Sequence, residues 1–387
     1  MAIKNKKNVK ILLTGGGTGG SVTPLLAIID KINIQYPISN ILWLGTKNGP
    51  EKNMLKNYKN IKFKYIFSGK LRRYFSFRNF IDPFFIILGF FQSLAIMLIW
   101  RPNLVMSAGS FVSVPVVWAS WILRVPVLIH QQDARPGLAN KLMAPFAKVI
   151  TVTFEKSLRD YGNKAVWLGN FIRKEFNDYK ISKNDAIKKL GLNNNKPIIL
   201  VIGGGTGASV INKLIEKNLS SLTKFCQILH IVGKNKKSDI KYENNYHPFE
   251  FMHIDGLIKM YTASDIVISR AGMGSLTELS YLGKSSILIP MPNSHQEDNA
   301  RIFKEKNAAI VLDQKKLTPE KLTNEIKKLL DNKMLRDKLS NNIKTVIKKG
   351  AWERIIKIIE KLTNKKMILI SNTQKLQEEK KIDTRKH

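Results

Sequence analysis

An α/β fold is predicted for this chain, with two doubly wound parallel-sheet lobes facing each other across a cleft. Three observations predict it. One short string occurs twice, GGGTGGSV at 15–22 and GGGTGASV at 203–210, the second starting 188 residues after the first. Each copy follows an apolar β-type run (9–14 and 198–202) and precedes a helical stretch, the order strand, glycine turn, helix. The chain has 387 residues, more than a single core usually fills. A glycine turn at a helix start lets bare backbone N–H groups approach an anion. Two such turns across a cleft make a place for a diphosphate or a sugar nucleotide.

In the first half, the apolar runs 9–14, 41–44, 104–107, 126–130 and 148–152 alternate with helical segments. The second half repeats the rhythm with runs 198–202, 227–232, 266–269, 286–290 and 309–311. This βαβ alternation argues for parallel sheets, whose ligands bind beyond the carboxyl ends of the strands. All the glycine turns fall at those ends, so the interdomain cleft is the expected site. Residues 174–196, rich in Lys and Asn, read as a linker plus an entry helix. A late helix over 351–362 carries Trp352, Ile355, Ile356, Ile358 and Ile359 on one broad face. Residues 363–387 have few large apolar side chains after Ile370 and read as a mostly disordered basic tail.

Hydrophobic residues make up 44% of the chain and charged residues 24%, as in an ordinary folded protein. The single cysteine, Cys226, excludes an intrachain disulfide and fits a reducing compartment. The basic start runs into a short strand and glycines, unlike a signal peptide. The net charge of +35 has three readings: nucleic acid, an anionic membrane surface, or a proteome-wide Lys and Asn bias. The charge is spread over every segment and no nucleic-acid module occurs, so nucleic acid is not expected as a partner.

Residues 80–100, FIDPFFIILGFFQSLAIMLIW, are apolar apart from Asp82, Gln92 and Ser93. The length is close to the ~20 residues of a bilayer span. Three readings stay open: a buried crossover helix, an interfacial patch dipping into lipid between flanking arginines, and a true span.

The first turn is neither a dinucleotide fingerprint nor a phosphate loop ending in Gly-Lys-Ser/Thr. The second strand ends Trp43-Leu44-Gly45-Thr46, with no acid to hold a ribose. A third glycine-rich turn, Ser269 to Glu278, follows a strand and opens a helix. Small residues there suit a diphosphate. Glu278 then accepts from ribose hydroxyls or closes a capping box with Ser275. Gln296 and Asn299, after a proline-bounded loop, are candidate hydroxyl or phosphate contacts, or else a solvated helix start. His130-Gln131-Gln132-Asp133 ends another strand; Asp133 is a candidate base for an acceptor hydroxyl, and His130 reads best as a satisfied buried histidine. No Asp-x-Asp pair and no metal-ligand spacing of histidines occur. Neither a metal nor another cofactor is therefore expected, and leaving-group charge falls to helix N-termini and a cation such as Arg173.

These motifs converge on a resemblance to the MurG family of peptidoglycan N-acetylglucosaminyltransferases, spread over roughly 8–360. It rests on GGTGG-x-V-x-P at 16–24, WLGT at 43–46, SG-x-LR at 68–72 and Ser110–Pro115. It continues with HQQD-x-x-x-GLANK at 130–141, LGN-x-I-R at 168–173, GGGTGA at 203–208, SRAG…LTE at 269–278 and HQ-x-x-NA at 295–300. The resemblance implies a GT-B fold with an acceptor- and membrane-side domain over 1–170 and a UDP-sugar domain over 171–350. It has the 351–362 helix cross back to the first domain. It implies inverting transfer from UDP-N-acetylglucosamine to the muramyl 4-hydroxyl of lipid I, giving lipid II. The work would be done peripherally at the cytoplasmic side of the inner membrane, against its anionic surface.

By position, the resemblance puts Gly17, Thr18, Gly19 and Gly20 in the turn near the donor sugar and acceptor diphosphate. Gly205, Thr206 and Gly207 fall in the UDP-phosphate turn, and Ile254 matches the residue whose backbone reads uracil. Arg173 and Arg270 are donor-side arginines. Met273, Gly274, Ser275, Leu276 and Thr277 form the phosphate-side loop, Glu278 is the ribose carboxylate and Gln296 contacts the sugar. The sequence also departs from the pattern. Ser21 stands where the family has histidine, Asp133 where it has asparagine in HEQN, and Phe171 where it has proline. Asp133 and Ser21 are thus the candidates for the catalytic role of the missing histidine. Other readings are a related GT-B transferase with another lipid acceptor, and a UDP-sugar-binding protein without catalysis.

Overall fold

The structure, a computed structural model, describes residues 9–35, 40–70, 77–204, 208–233 and 244–365. The first lobe is a seven-stranded parallel sheet of β1 (Lys10–Thr14), β2 (Asn40–Gly45), β3 (Ile61–Tyr65), β4 (Leu104–Ser107), β5 (Val127–Gln131), β6 (Val149–Val152) and β7 (Ala165–Trp167). Their spatial order is β3-β2-β1-β4-β5-β6-β7. The second lobe is a six-stranded parallel sheet of β8 (Ile198–Ile202), β9 (Gln227–Ile231), β10 (Tyr246–Phe249), β11 (Ile266–Ser269), β12 (Ser286–Leu288) and β13 (Ile310–Val311), in the order β10-β9-β8-β11-β12-β13.

Central strands such as KILLT and IILVI are apolar throughout because helices cover both faces of each sheet. Ile11, Leu12, Leu13, Leu200 and Val201 are fully buried. In each sheet the strand order reverses beside the first strand, between β1 and β4 and between β8 and β11. The crevice beyond the carboxyl ends of these strands is where open α/β sheets bind ligands.

The chain crosses between lobes twice, and the two crossings lie side by side. Asn170 N donates to Lys348 O at 3.1 Å, Gly350 N to Asn170 O at 2.8 Å, and Ala351 N to Leu168 O at 3.1 Å. Gly169 sits at φ 80°, where a Cβ would overlap the Lys348 carbonyl. Phe171 is buried against Trp352, with ring centroids 4.7 Å apart, and against His130 at 5.5 Å. Past the second crossing, helix Trp352–Thr363 inserts Ile355, Ile356 and Ile359 into the first-lobe core beside Leu25, Ile29 and Leu104. The tail proposed over 363–387 lies outside the described residues from 366 onward.

Helix Arg78–Trp100 joins β3 to β4. One side packs on helix Ser113–Ile122, with Ser93 and Met97 buried. The other side is open: Phe80 and Phe84 are each 68% exposed and Ile99 is 85% exposed. Of the three readings left open for 80–100, the buried crossover helix is therefore overturned. The segment is a crossover, but only 17% of its most apolar window is buried, and Phe80–Trp100, with mean hydropathy 2.1, is long enough to cross a bilayer. Trp121, Ile122 and Leu138 extend the exposed apolar surface. Gln92 does not break the helix. Its amide accepts from Phe67 N at 2.9 Å and donates to Tyr65 O at 3.2 Å, satisfying chain at the end of β3.

Candidate active site

Between the lobes lies a cleft lined by Thr23, Pro24 and Gln132 from the first lobe, the crossing residues Asn170 to Arg173, and Gly274, Thr277 and Glu278 from the second. Its second-lobe wall is the start of helix Met273–Leu282. Gly272 is the N-cap and uses no side chain to satisfy the first N–H groups. The helix start therefore leaves polar hydrogens and the positive end of the helix dipole at the cleft. A Cβ at Gly272 or Gly274 would meet no atom within 4 Å, so the approach is open.

The Glu278 carboxylate lies one turn further in and is 12% exposed. One oxygen accepts from Arg173 Nη2 at 2.7 Å and the other from the Tyr261 hydroxyl at 2.9 Å. Burial, and next the neighbouring carboxylate, push the Tyr261 phenol well above its ordinary range, so it remains a donor. The capping-box reading of Glu278 is corrected: Ser275 lies inside the helix, and both Glu278 oxygens are engaged elsewhere.

The rest of that segment divides by depth. Met273 and Leu276 are buried, Leu276 completely, so only their backbones reach the cleft side. Thr277 is buried at the cleft wall, its hydroxyl donating to Met273 O at 2.7 Å and accepting from Asn170 Nδ2 at 2.7 Å. Asn170 in turn offers its carbonyl oxygen to His130 Nε2 at 2.9 Å, while Thr151 meets His130 Nδ1 at 2.9 Å. Because the Asn170 amide nitrogen is committed to Thr277, the His130 proton sits on Nε2. Burial lowers the His130 pKa to about 4, so the ring is neutral. His130 is a satisfied core histidine tied through Asn170 to the opposite lobe. Arg270 donates to Ile289 O at 2.9 Å, and burial lowers its pKa.

The first-lobe wall is the turn after β1. Gly17, Thr18 and Gly20 are exposed. Ser21 is buried; its hydroxyl accepts from Gly16 N at 3.1 Å and lies 3.2 and 3.3 Å from the Gly16 and Thr18 carbonyls. Trp43 Nε1 donates to Gly15 O at 2.9 Å, Ser110 Oγ to Gly16 O at 2.8 Å and Gln132 Nε2 to Gly20 O at 2.8 Å. The buried Glu51 carboxylate accepts from Gly17 N at 3.1 Å and Thr46 N at 2.6 Å.

Asp133 lies at the seam between lobes, its side chain 31% exposed. Oδ1 accepts from Asn299 Nδ2 at 2.9 Å and is 3.8 Å from His295 Nε2. Asn299 is fully buried, taking Ala134 N on its oxygen at 2.9 Å and also giving to Ala271 O at 3.1 Å. It joins the lobes, a structural role in place of the ligand contact expected of it. Gln296 accepts from Met291 N at 3.0 Å, and Ile254 opens helix Ile254–Ala263. Gly205, Thr206 and Gly207 lie outside the described residues. Sequence reasoning missed Glu51, Asn170 and Tyr261. An acid just past the WLGT strand end was the one available signal for Glu51.

Comparison with known proteins gives a consistent result. Residues 11–152 match the N-terminal domain of glycosyltransferase family 28, and 198–355 match its C-terminal domain. Among curated proteins, a Clostridium kluyveri protein is 40% identical over 91% of this chain and 99% of its own length. It is named UDP-N-acetylglucosamine--N-acetylmuramyl-(pentapeptide) pyrophosphoryl-undecaprenol N-acetylglucosamine transferase. A Borrelia hermsii protein of the same name is 38% identical over 87% of this chain and 92% of its own. Acinetobacter baumannii MurG, a solved structure, superposes with TM-score 0.66 at 24% identity, covering 91% of this chain and 99% of that one. The calicheamicin glycosyltransferase CalG4 superposes with TM-score 0.67 at 10% identity, covering 92% and 99%. These superpositions show the GT-B fold.

Proposed function

The chain belongs to glycosyltransferase family 28, and on that premise we propose that it transfers N-acetylglucosamine from UDP-N-acetylglucosamine to the muramyl 4-hydroxyl of lipid I, forming lipid II. The single observation that carries this reading is the cleft geometry: an uncapped helix start at Gly272–Ser275 stands beside a carboxylate fixed by Arg173 and Tyr261. Amides and a helix dipole suit a diphosphate, and a held carboxylate suits vicinal ribose hydroxyls. The relatives' printed name supplies the donor and acceptor.

In this reading UDP lies along the second lobe. Uracil meets the Ile254 backbone, ribose meets Glu278, and the phosphates meet residues 273–277 and the 205–207 turn. Arg173 turns from Glu278 to the leaving phosphate, and Gln296 faces the sugar. The acceptor oxygen attacks C1, the bond from C1 to the phosphate oxygen breaks, and UDP leaves with the electron pair. The hydroxyl proton passes to Asp133, whose Oδ2 is not used by Asn299. Ser21 is assigned to holding the turn, because its hydroxyl already serves Gly16 and the Thr18 carbonyl. Thr18 and the backbone at 18–20 face the acceptor.

The exposed apolar side of helix Arg78–Trp100 supports peripheral docking on the inner membrane. It is bordered by exposed Arg101 and Arg124, which suit anionic headgroups. Such docking brings the acceptor lobe to its lipid substrate.

Purified protein given radiolabelled UDP-N-acetylglucosamine and a lipid I analogue should produce labelled lipid II. Asp133→Asn should slow that transfer at least tenfold with UDP affinity unchanged. UDP binding without transfer by the wild-type chain would overturn the catalytic reading.

A further inference from the structure

We infer that Glu51 is a positioning residue whose buried carboxylate sets the shape of the first glycine turn. Glu51 is fully buried at the start of the short helix Glu51–Met54. A carboxylate taken wholly out of water requires hydrogen-bond donors on its oxygens. Here they come from two strand ends: Gly17 N on Oε2, and Thr46 N together with the Thr46 hydroxyl on Oε1. One side chain thereby fastens the turn after β1 to the turn after β2.

The surrounding glycines are explained by the same group. A Cβ at Gly16 or Gly49 would overlap the Glu51 carboxylate, and one at Gly45 would crowd its Cγ at 3.0 Å. Three glycines around one carboxylate are space made for the brace. Gly17 N is also spent on Glu51, which leaves Thr18, Gly19 and Gly20 as the surface the turn presents to a ligand. The assignment of that surface to the acceptor rests on the transfer reading above; the brace itself does not.

Gln at position 51 keeps the shape but replaces one acceptor oxygen with an NH2 that faces a donor. Glu51→Gln should therefore free the turn, as should Thr46→Val more mildly, while Thr46→Ser restores the hydroxyl donor. In full-length protein, amide exchange over residues 15–22 should rise at least tenfold in Glu51→Gln. In the same variant kcat should fall at least tenfold and the acceptor KM should rise, with UDP affinity within twofold of wild type. Thr46→Ser should return both readouts toward wild type. Unchanged exchange over 15–22, or transfer lost in step with UDP binding, would overturn the brace. If the wild-type chain transfers no sugar, the functional reading fails, and the exchange measurement still decides the role of Glu51.

Discussion

The turn at 15–21 and the helix start at 272–275 are both runs of small residues at strand ends, and they are built in opposite ways. Behind the first stand Glu51, Ser21, Trp43, Ser110 and Gln132, each hydrogen-bonded to its backbone. The second is capped by Gly272 with no side chain, and nothing stands near the missing Cβ atoms of Gly272 and Gly274. Glycine at the first makes room for side chains behind the backbone; glycine at the second leaves room for a ligand in front. The first wall is held in shape before any ligand arrives. The second offers unsatisfied polar hydrogens that a ligand anion can take.

The largest expected effect sets the lobes against each other through their buried histidines. His130 reaches the cleft through Asn170 and Thr277, whereas His230 bonds only within its own lobe, to Tyr246 and Asn212. Burial lowers each pKa from 6.5 to about 4. As pH falls below 6.5 the unfolded chain takes up these protons first. Stability present above pH 6.5 is thus lost down to about 4, by roughly 3 kcal/mol per histidine. Urea midpoints measured from pH 7 to 4.5 should fall accordingly. His130→Gln and His230→Gln should each remove one histidine's share of that pH dependence, with transfer at pH 7 reduced only in the first. Equal transfer in both would break the comparison.

Next in size is Glu278→Ala, which leaves the Tyr261 hydroxyl and Arg173 without their acceptor. UDP-sugar affinity should fall by about 30-fold, roughly 2 kcal/mol, as read by titration calorimetry. Ser21→Ala, on the braced side, should leave that affinity within twofold. A loss on both sides would mean the donor touches both walls.

The smallest effect is a glycine pair. Gly17→Ala places a side chain at φ 74° and against the Phe111 ring, so urea denaturation should show a loss of ~1–2 kcal/mol. Gly274→Ala has open space inside a helix and should cost no stability, or raise it by up to ~1 kcal/mol, while weakening UDP binding.

The fold class was legible because central parallel strands are buried on both faces and read as plain apolar runs. The strands absent from the sequence reading, Ile61–Tyr65, Ala165–Trp167 and Tyr246–Phe249, all lie at sheet edges. IKFKY carries two lysines because an edge strand keeps part of its surface in water. Apolarity marked 80–100 as a helix but not which way it faces, since that depends on the partner helix Ser113–Ile122. Glu278 stood out by its place one turn into a helix. That Arg173 and Tyr261 hold its carboxylate was not legible, because the two come from distant segments. Glu51 was hidden for the same reason: nothing near it in sequence shows that two strand-end turns close over it.

The paired crossings at 168–171 and 348–351 also bear on how firmly the two lobes are joined. A single tether would let the lobes swivel freely about one another. Two crossings bonded side by side are harder to twist than one, so they limit how far one lobe can turn against the other. Gly169 and Phe171 sit at the centre of that double ribbon, where Asn170 and Asn299 add side-chain bonds across the same seam.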